Sequence, residues 1–316
     1  MNERPLQPMV EFTPAACSEV RRALDRAIEA FGSWGIDLRR SQWIQAAAEE
    51  LEIVSNRSAL PESDAELRRI SSAAALVVDL YHISTCLGEE PNEIIAKELA
   101  SIRGGELVGT GNSAAGKDVL TQFWIGALLA QSQLSPHIIA YDLEGKSKPD
   151  FIISKGKTRF AVEVKKPRTA SSAVRAVETG ARQLRQFEGP GIIVIDATEC
   201  LSTDPWGVAN ELDDIRAITR HDLSNLQRMC CAKISPHIHP TRFSHLAMLV
   251  TFARYWNWIR DGSGGVKRDA GLIFHANGFG YLWSAQITGL TKQIQESLLG
   301  GIKQLTGNPP SYEYKP

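Results

Sequence analysis

Three acid-x-Lys tripeptides stand in the 316-residue chain: Glu144-Gly145-Lys146, Glu163-Val164-Lys165 and Glu313-Tyr314-Lys315. Each sets a carboxylate beside an ammonium, but only the middle one ends a β-patterned run, and side chains two apart on a strand share a face. Ala161, Glu163 and Lys165 therefore project one way, and Phe160, Val162 and Val164 project into the opposite layer. Asp150, preceded by Pro149, stands at the start of the strand expected to pair with this one, so a hairpin brings its carboxylate towards Glu163. Two carboxylates with the backbone carbonyl of Val164 make a set of hard oxygen ligands of the kind Mg²⁺ or Mn²⁺ takes. A metal there lowers the pKa of a bound water and neutralises charge on a phosphate. Lys165 is placed to orient that water or stabilise the transition state.

The elements that must hold these groups can be read around them. Phe151 to Ser154 and Thr158 to Val164 are short β-branched and aromatic runs separated by Lys155-Gly156-Lys157, which reads as a hairpin. A helix is expected from about Ala114 to Gln133, capped by Asn112 or Ser113, then a strand from Ile138 to Tyr141. After the hairpin come a proline-free helix from Ser171 to Phe187 and the apolar run Ile192 to Ile195, a strand buried on both faces. Further on, Asn210 to Lys233 reads as helix, His245 to Trp256 and Ala270 to Ala276 as strands, and Thr288 to Leu305 as a last helix. Before Gly104 the pattern is helical throughout: Cys17 to Phe31, Ser41 to Val54, Ser63 to Leu87 and Asn92 to Ile102, with Ser41 and Asn92 as candidate N-caps. The expected organisation is an all-helical accessory domain over 1–104 and an α/β domain over 105–316. The helical part would serve a protein partner, a homodimer contact or substrate gating.

Lys148-Pro149-Asp150-Phe151-Ile152-Ile153, followed by Phe160-Ala161-Val162-Glu163-Val164-Lys165-Lys166-Pro167, resembles the PD-(D/E)XK nuclease superfamily over roughly residues 105–200. The resemblance implies a restriction-endonuclease-like fold, a mixed sheet flanked by helices, whose motif acids hold a metal for hydrolysis of DNA or, less often, RNA. In one exonuclease-like branch a Gln-x-x-x-Tyr motif on the next helix helps to position the site. Gln183-Leu184-Arg185-Gln186-Phe187 matches that pattern with Phe187 in place of the tyrosine, so Gln183 is carried over and the hydroxyl's role is lost. The resemblance further implies an acid on the preceding helix, for which Asp118 is taken ahead of Glu106.

Composition is consistent with this reading. Hydrophobic residues make up 43% and charged residues 22%, the balance of a folded globular protein. Residues 1–12 lack an apolar signal core, and no apolar stretch approaches the roughly 20 residues of a membrane span. Five cysteines without framework spacing read as reduced thiols, and the expected location is cytoplasmic. The formal net charge is only −1, yet eleven Lys and Arg face three acids between residues 145 and 185, a local excess of eight positive charges. Such a segment attracts a phosphate backbone.

Several other patterns carry less. Gly111-Asn112-Ser113-Ala114-Ala115-Gly116-Lys117-Asp118 matches a P-loop except that Asp118 replaces the final Ser or Thr, putting a carboxylate where a phosphate would sit. Cys230, Cys231, His237, His239 and His245 lack a Cys-x-x-Cys pair and read as ordinary thiols and histidines. Phe252, Tyr255, Trp256, Trp258, Phe279, Tyr281 and Trp283 read as core or interface aromatics before base-stacking ones. The expectation is therefore a Mg²⁺- or Mn²⁺-dependent phosphodiesterase acting on DNA, with a catalytically silent nucleic-acid-binding or assembly protein of the same fold as the alternative.

Overall fold

A computed structural model describes residues 14–57, 63–86, 93–104, 114–131, 137–138, 149–155, 157–187, 189–202, 204–209, 212–234, 245–260 and 266–279. The first part of the chain forms α1 (Pro14–Ser33), α2 (Gln42–Ser55), α3 (Asp64–Cys86) and α4 (Glu93–Leu99), the last continued by a 3₁₀ turn over Ala100–Gly104. Then come α5 (Ala114–Gln131), β1 (His137–Ile138), β2 (Phe151–Lys155), β3 (Thr158–Lys165), α6 (Ala170–Leu184) and β4 (Gly191–Asp196). The described chain closes with β5 (Val208–Ala209), α7 (Leu212–Ile234), β6 (Leu246–Arg260) and β7 (Val266–Gly278). The protein is thus of the α/β class, and every helix and strand expected among the described residues forms, with ends displaced by a few residues. The expected helix over 288–305 and most of the 138–141 strand lie outside the described residues.

The sheet is mixed. β1, β2 and β3 are antiparallel neighbours, β4 lies parallel to β3, and β6 parallel to β4. β4 pairs with residues 246–252 of β6 and β5 with residues 258–259, while β7 runs antiparallel along 248–260. A strand has only two edges, so β4 and β5 occupy successive stretches of one edge of β6 and β7 takes the other.

Alternation along the strands assigns the two faces. Phe151, Phe160, Val162, Val164, Val194 and Phe252 pack with the helices α1, α2, α3 and α5 in one core, which includes Leu24, Phe31, Leu51, Val77 and Trp124. A single apolar core therefore crosses residue 104 and joins the N-terminal helices to the sheet. On the other face Ala161, Ile193, Ile195, Leu249 and Ala253 pack with α6 and α7 through Ala173, Val177, Leu184, Leu223 and Leu226. Each fully buried aliphatic side chain is worth about 1.5–3 kcal/mol. Both orientations match the expectation for 160–165.

Some local chemistry differs from expectation. Ser41 sits at the N-cap of α2, but its side chain caps nothing there; its hydroxyl donates to Arg103 O at 2.9 Å instead. Trp43 Nε1 reaches Ile102 O at 2.9 Å, so α2 is fastened to the turn after α4 rather than closed on itself. Close approach of α5 to β2 requires Gly126, where an added Cβ would stand 2.9 Å from Phe151 Cε1.

Candidate active site

Pro149 is buried and precedes Asp150 directly, while Pro167 stops β3 just after Lys165 because it offers no N–H to a ladder. Thr169 then caps α6 in a reciprocal capping box with Ser172, which turns the chain back over the sheet. Between these stops the hairpin register pairs Phe151 with Val162, which sets Asp150 beside Glu163 at the sheet's end. Asp150 Oδ2 accepts the N–H of Val164 at 2.7 Å. Lys165 Nζ donates to Glu163 Oε1. The sheet thus brings Asp150, Glu163 and Lys165 together, with Val164 bonded between them.

Glu163 is 1% exposed, and its Oε2 is buried without a hydrogen-bond partner among the described residues. Burial and then the negative charge of Asp150 push its carboxyl up to about 7, against opposing pulls from Lys165 and the Asp150 backbone N–H. Asp150 is also raised, by burial first, with the Val164 N–H and Lys165 pulling down. The two acids crowd each other at a site with one orphan oxygen, so a cation between them would relieve both. Oxygen donors from two carboxylates suit a hard divalent ion, which completes its shell with water and phosphate oxygens. No group of three or more His, Cys, Asp or Glu among the described residues is placed to enclose a metal by itself.

Gln183 lies in the last turn of α6, three residues beyond Gly180, where an added Cβ would stand 3.3 Å from Glu163 Cγ. The Gln183 Oε1 is buried and unpartnered among the described residues, so an amide oxygen as well as a carboxylate oxygen is left without a donor on this side of α6. Asp118 is exposed on α5, yet its carboxyl is raised by the bulk around it, and the charges acting on it are Lys166, Arg168, Glu199 and Lys165. Asp150 and Glu163 are not among them. The acid that does feel Asp150 is Glu98 on α4, half-buried and raised by burial and then by that charge. Glu106 lies outside the described residues.

On the opposite face of the same sheet end lies a buried ionic cluster that reading the sequence missed. Arg254 of β6 bonds Asp79 of α3 at 2.6 Å and stands 3.5 Å from Asp196 Oδ2 at the end of β4. Lys166 Nζ lies 3.7 Å from Asp196 and 3.3 Å from Thr121 Oγ1 of α5. The Arg254 guanidinium also lies over the Trp124 ring at 4.3 Å, and Trp124 Nε1 donates to His82 Nδ1 at 3.0 Å. Burial pushes Asp196 up, but Lys166, Arg254 and two bonds from Thr198 outweigh it and hold the carboxyl below its ordinary range. Asp79 stays raised because burial dominates its bond to Arg254. The available signal was a lone charge in each of two apolar runs, Asp79 in Ala73 to Leu80 and Arg254 in Leu249 to Ile259.

The remaining candidates resolve simply. Cys230 and Cys231 are free, and burial pushes their thiols up to about 12 and about 11, so neither is a ready thiolate. His245 Nε2 bonds the Ala181 carbonyl at 2.8 Å, while His237 and His239 lie outside the described residues. Residues 111–113 of the P-loop-like segment also lie outside them. Phe252, Tyr255, Trp256 and Trp258 are buried and serve packing. Among the described residues no helix is long and apolar enough to cross a membrane. Comparison with known protein families, with characterised proteins and with solved structures gave no match.

Proposed function

We propose that this chain is a divalent-metal-dependent nuclease of the PD-(D/E)XK type, with a restriction-endonuclease-like sheet, that hydrolyses phosphodiester bonds in DNA. The observation that carries the reading is the juxtaposition of Asp150 and Glu163 at a hairpin's open end, with Lys165 bonded to one of them and an orphan oxygen left over. A structural ion pair needs only one acid for one lysine. A second, partly desolvated carboxylate costs stability unless something positive joins it.

Glu163, Asp150 and the Val164 carbonyl would hold the ion, with Glu98 a further acid that feels the charge of Asp150. When bound, Mg²⁺ or Mn²⁺ supplies a water of lowered pKa and neutralises phosphate charge. The chain's own part is to orient and to carry protons. Glu163 titrates near neutral pH, so it exchanges a proton readily for a cation. Lys165, a quarter exposed, keeps N–H donors for a phosphate oxygen while it holds Glu163 in place. Gln183, one turn beyond Gly180 on α6, would add an amide whose oxygen has no partner among the described residues.

The test is cleavage of labelled single- and double-stranded DNA and of RNA in Mg²⁺, Mn²⁺ and EDTA, by wild type, Asp150→Asn and Lys165→Met. Metal-dependent cutting of DNA that falls at least about 10²-fold in both variants supports the reading. Cutting that survives either substitution, or binding with no cutting under any metal, refutes it.

A further inference from the structure

We propose that one shoulder of α6 is the track for a duplex DNA backbone, with Arg175 and Arg182 each neutralising a phosphate away from the scissile bond. The proposal rests on the nuclease reading for why a duplex comes to this face, but its own argument is about charge. Six arginines in the N-terminal helices and the turns after α1 and α2 face carboxylates within 4.0 Å: Arg21, Arg22, Arg40, Arg57, Arg68 and Arg69. Arg175 and Arg182 are exposed and pair with no carboxylate among the described residues; Arg182 reaches only the Thr179 hydroxyl, at 3.3 Å. Both are thus exposed cations with no acid within salt-bridge distance among the described residues, on a helix that packs against the candidate site.

Their position around the helix ties them to the site. Successive residues turn by about 100°, so from Gly180, which touches Glu163, one flank passes through Gln183 at about −60° and Thr179 at about −100°. It reaches Arg175 and Arg182 at about −140° and −160°. The opposite flank carries Ala181, whose carbonyl bonds His245, and then Arg185 at about +140°. Arg185 acts on His245 at the head of β6, on the α7 side. Arg175 and Arg182 thus lie on the solvent side of the helix and lean towards the flank of Gln183, away from the His245 side. Arg175 and Arg182 stand seven residues apart, about 10 Å along the axis, on a rigid, capped helix. The helix also overhangs the site, since Gly180 lies level with Glu163 and about 15 Å of α6 precedes it.

The exposed residues between these arginines favour a duplex over an unpaired strand. Thr179 between them and Ser171, one turn before Arg175, bring hydroxyls, and no aromatic ring stands on α6 to stack on free bases. Glu178 stands between the two arginines but is only partly exposed, so the exposed groups of this face are cations and hydroxyls, which read a phosphate backbone without regard to sequence.

The experiment measures binding of a short labelled duplex by fluorescence anisotropy across a salt series, in EDTA so that nothing is cut. Wild type, Arg175→Ala/Arg182→Ala and Arg185→Ala are compared, with circular dichroism as a check that each is folded. Each phosphate neutralised adds about 0.9 to the slope of log K against log salt. The double variant should lose about 1.8 of slope, so a fourfold rise in salt costs wild type about 12-fold more affinity than it costs the variant. Arg185→Ala should keep the wild-type slope. An unchanged slope in the folded double variant, an equal fall in Arg185→Ala, or no duplex binding by wild type overturns the proposal. Cleavage in Mg²⁺ is read in parallel: cutting with an unchanged slope sinks the track and leaves the nuclease reading, whereas a lowered slope without cutting does the reverse.

Discussion

Glu163 is where the proposed chemistry and the stability of the fold meet, and Glu163→Gln separates them. Raising this carboxyl from 4.5 to about 7 disfavours its ionised form by about 3 kcal/mol, at 1.36 kcal/mol per pH unit. A folded pKa above the unfolded one means that the folded state binds the proton more tightly. Stability is therefore full below about 4.5 and falls as pH rises towards 7. The amide of Gln cannot ionise, yet it keeps an oxygen for Lys165. Urea unfolding in EDTA should show Glu163→Gln gaining on wild type by about 2.5 kcal/mol between pH 5 and pH 8. Adding Mg²⁺ at about 100 times its dissociation constant should return about 2.7 kcal/mol to wild type at pH 8 and little to the variant. A gap between the two proteins that is the same at both pH values would refute the reasoning, because it would mean that neither burial nor Asp150 acts on the carboxyl. A pH-dependent gap with no response to Mg²⁺ would keep the electrostatics and discard the metal.

Other perturbations test neighbouring parts. Arg254→Met leaves Asp79 and Asp196 buried without their guanidinium, and urea unfolding should record a loss of about 3–5 kcal/mol. Gly126→Ala places a Cβ 2.9 Å from Phe151 Cε1 and should cost about 1–3 kcal/mol. Gly32→Ala, where a Cβ meets nothing within 4 Å, should cost nothing or stabilise α1 slightly. Glu98→Gln should raise the Mg²⁺ concentration for half-maximal cleavage about 10-fold; an unchanged requirement would make Glu98 a bystander to Asp150.

Local patterns were legible and distant partnerships were not. The alternation of Phe160 to Lys165 predicted which face each side chain takes, because strand geometry leaves no other arrangement once one face is apolar. Pro149-Asp150 and Glu163-Val164-Lys165 were found because two strands joined by a tight turn have essentially one register. Ser41 misled because a hydroxyl at a helix start has a second use, here the Arg103 carbonyl, that no local pattern encodes. Asp118 was taken, ahead of Glu106, because the family resemblance implies an acid on the helix before the hairpin, and Asp118 lies on it. Glu98 is the acid that feels Asp150, and only the packing of helices against the sheet's end puts it there. Asp79 and Arg254 lie 175 residues apart, so each was visible as an odd charge and neither as a partner.

The separation of those partners bears on the order in which the chain becomes functional during synthesis. By the time β4 has emerged from a ribosome, both candidate carboxylates and their lysine have been made. The strand that neutralises Asp79 and Asp196 has not, because Arg254 belongs to β6, and Trp258, whose Nε1 reaches back to Leu67 O at 2.8 Å across 191 residues, belongs to it too. Contacts this long in sequence are paid for in loop entropy before they return any energy, so they close late. A chain truncated before β6 would carry the motif, with Asp79 left without its guanidinium and Asp196 left to Lys166 and Thr198. The candidate hairpin is thus made well before the strand that completes its scaffold.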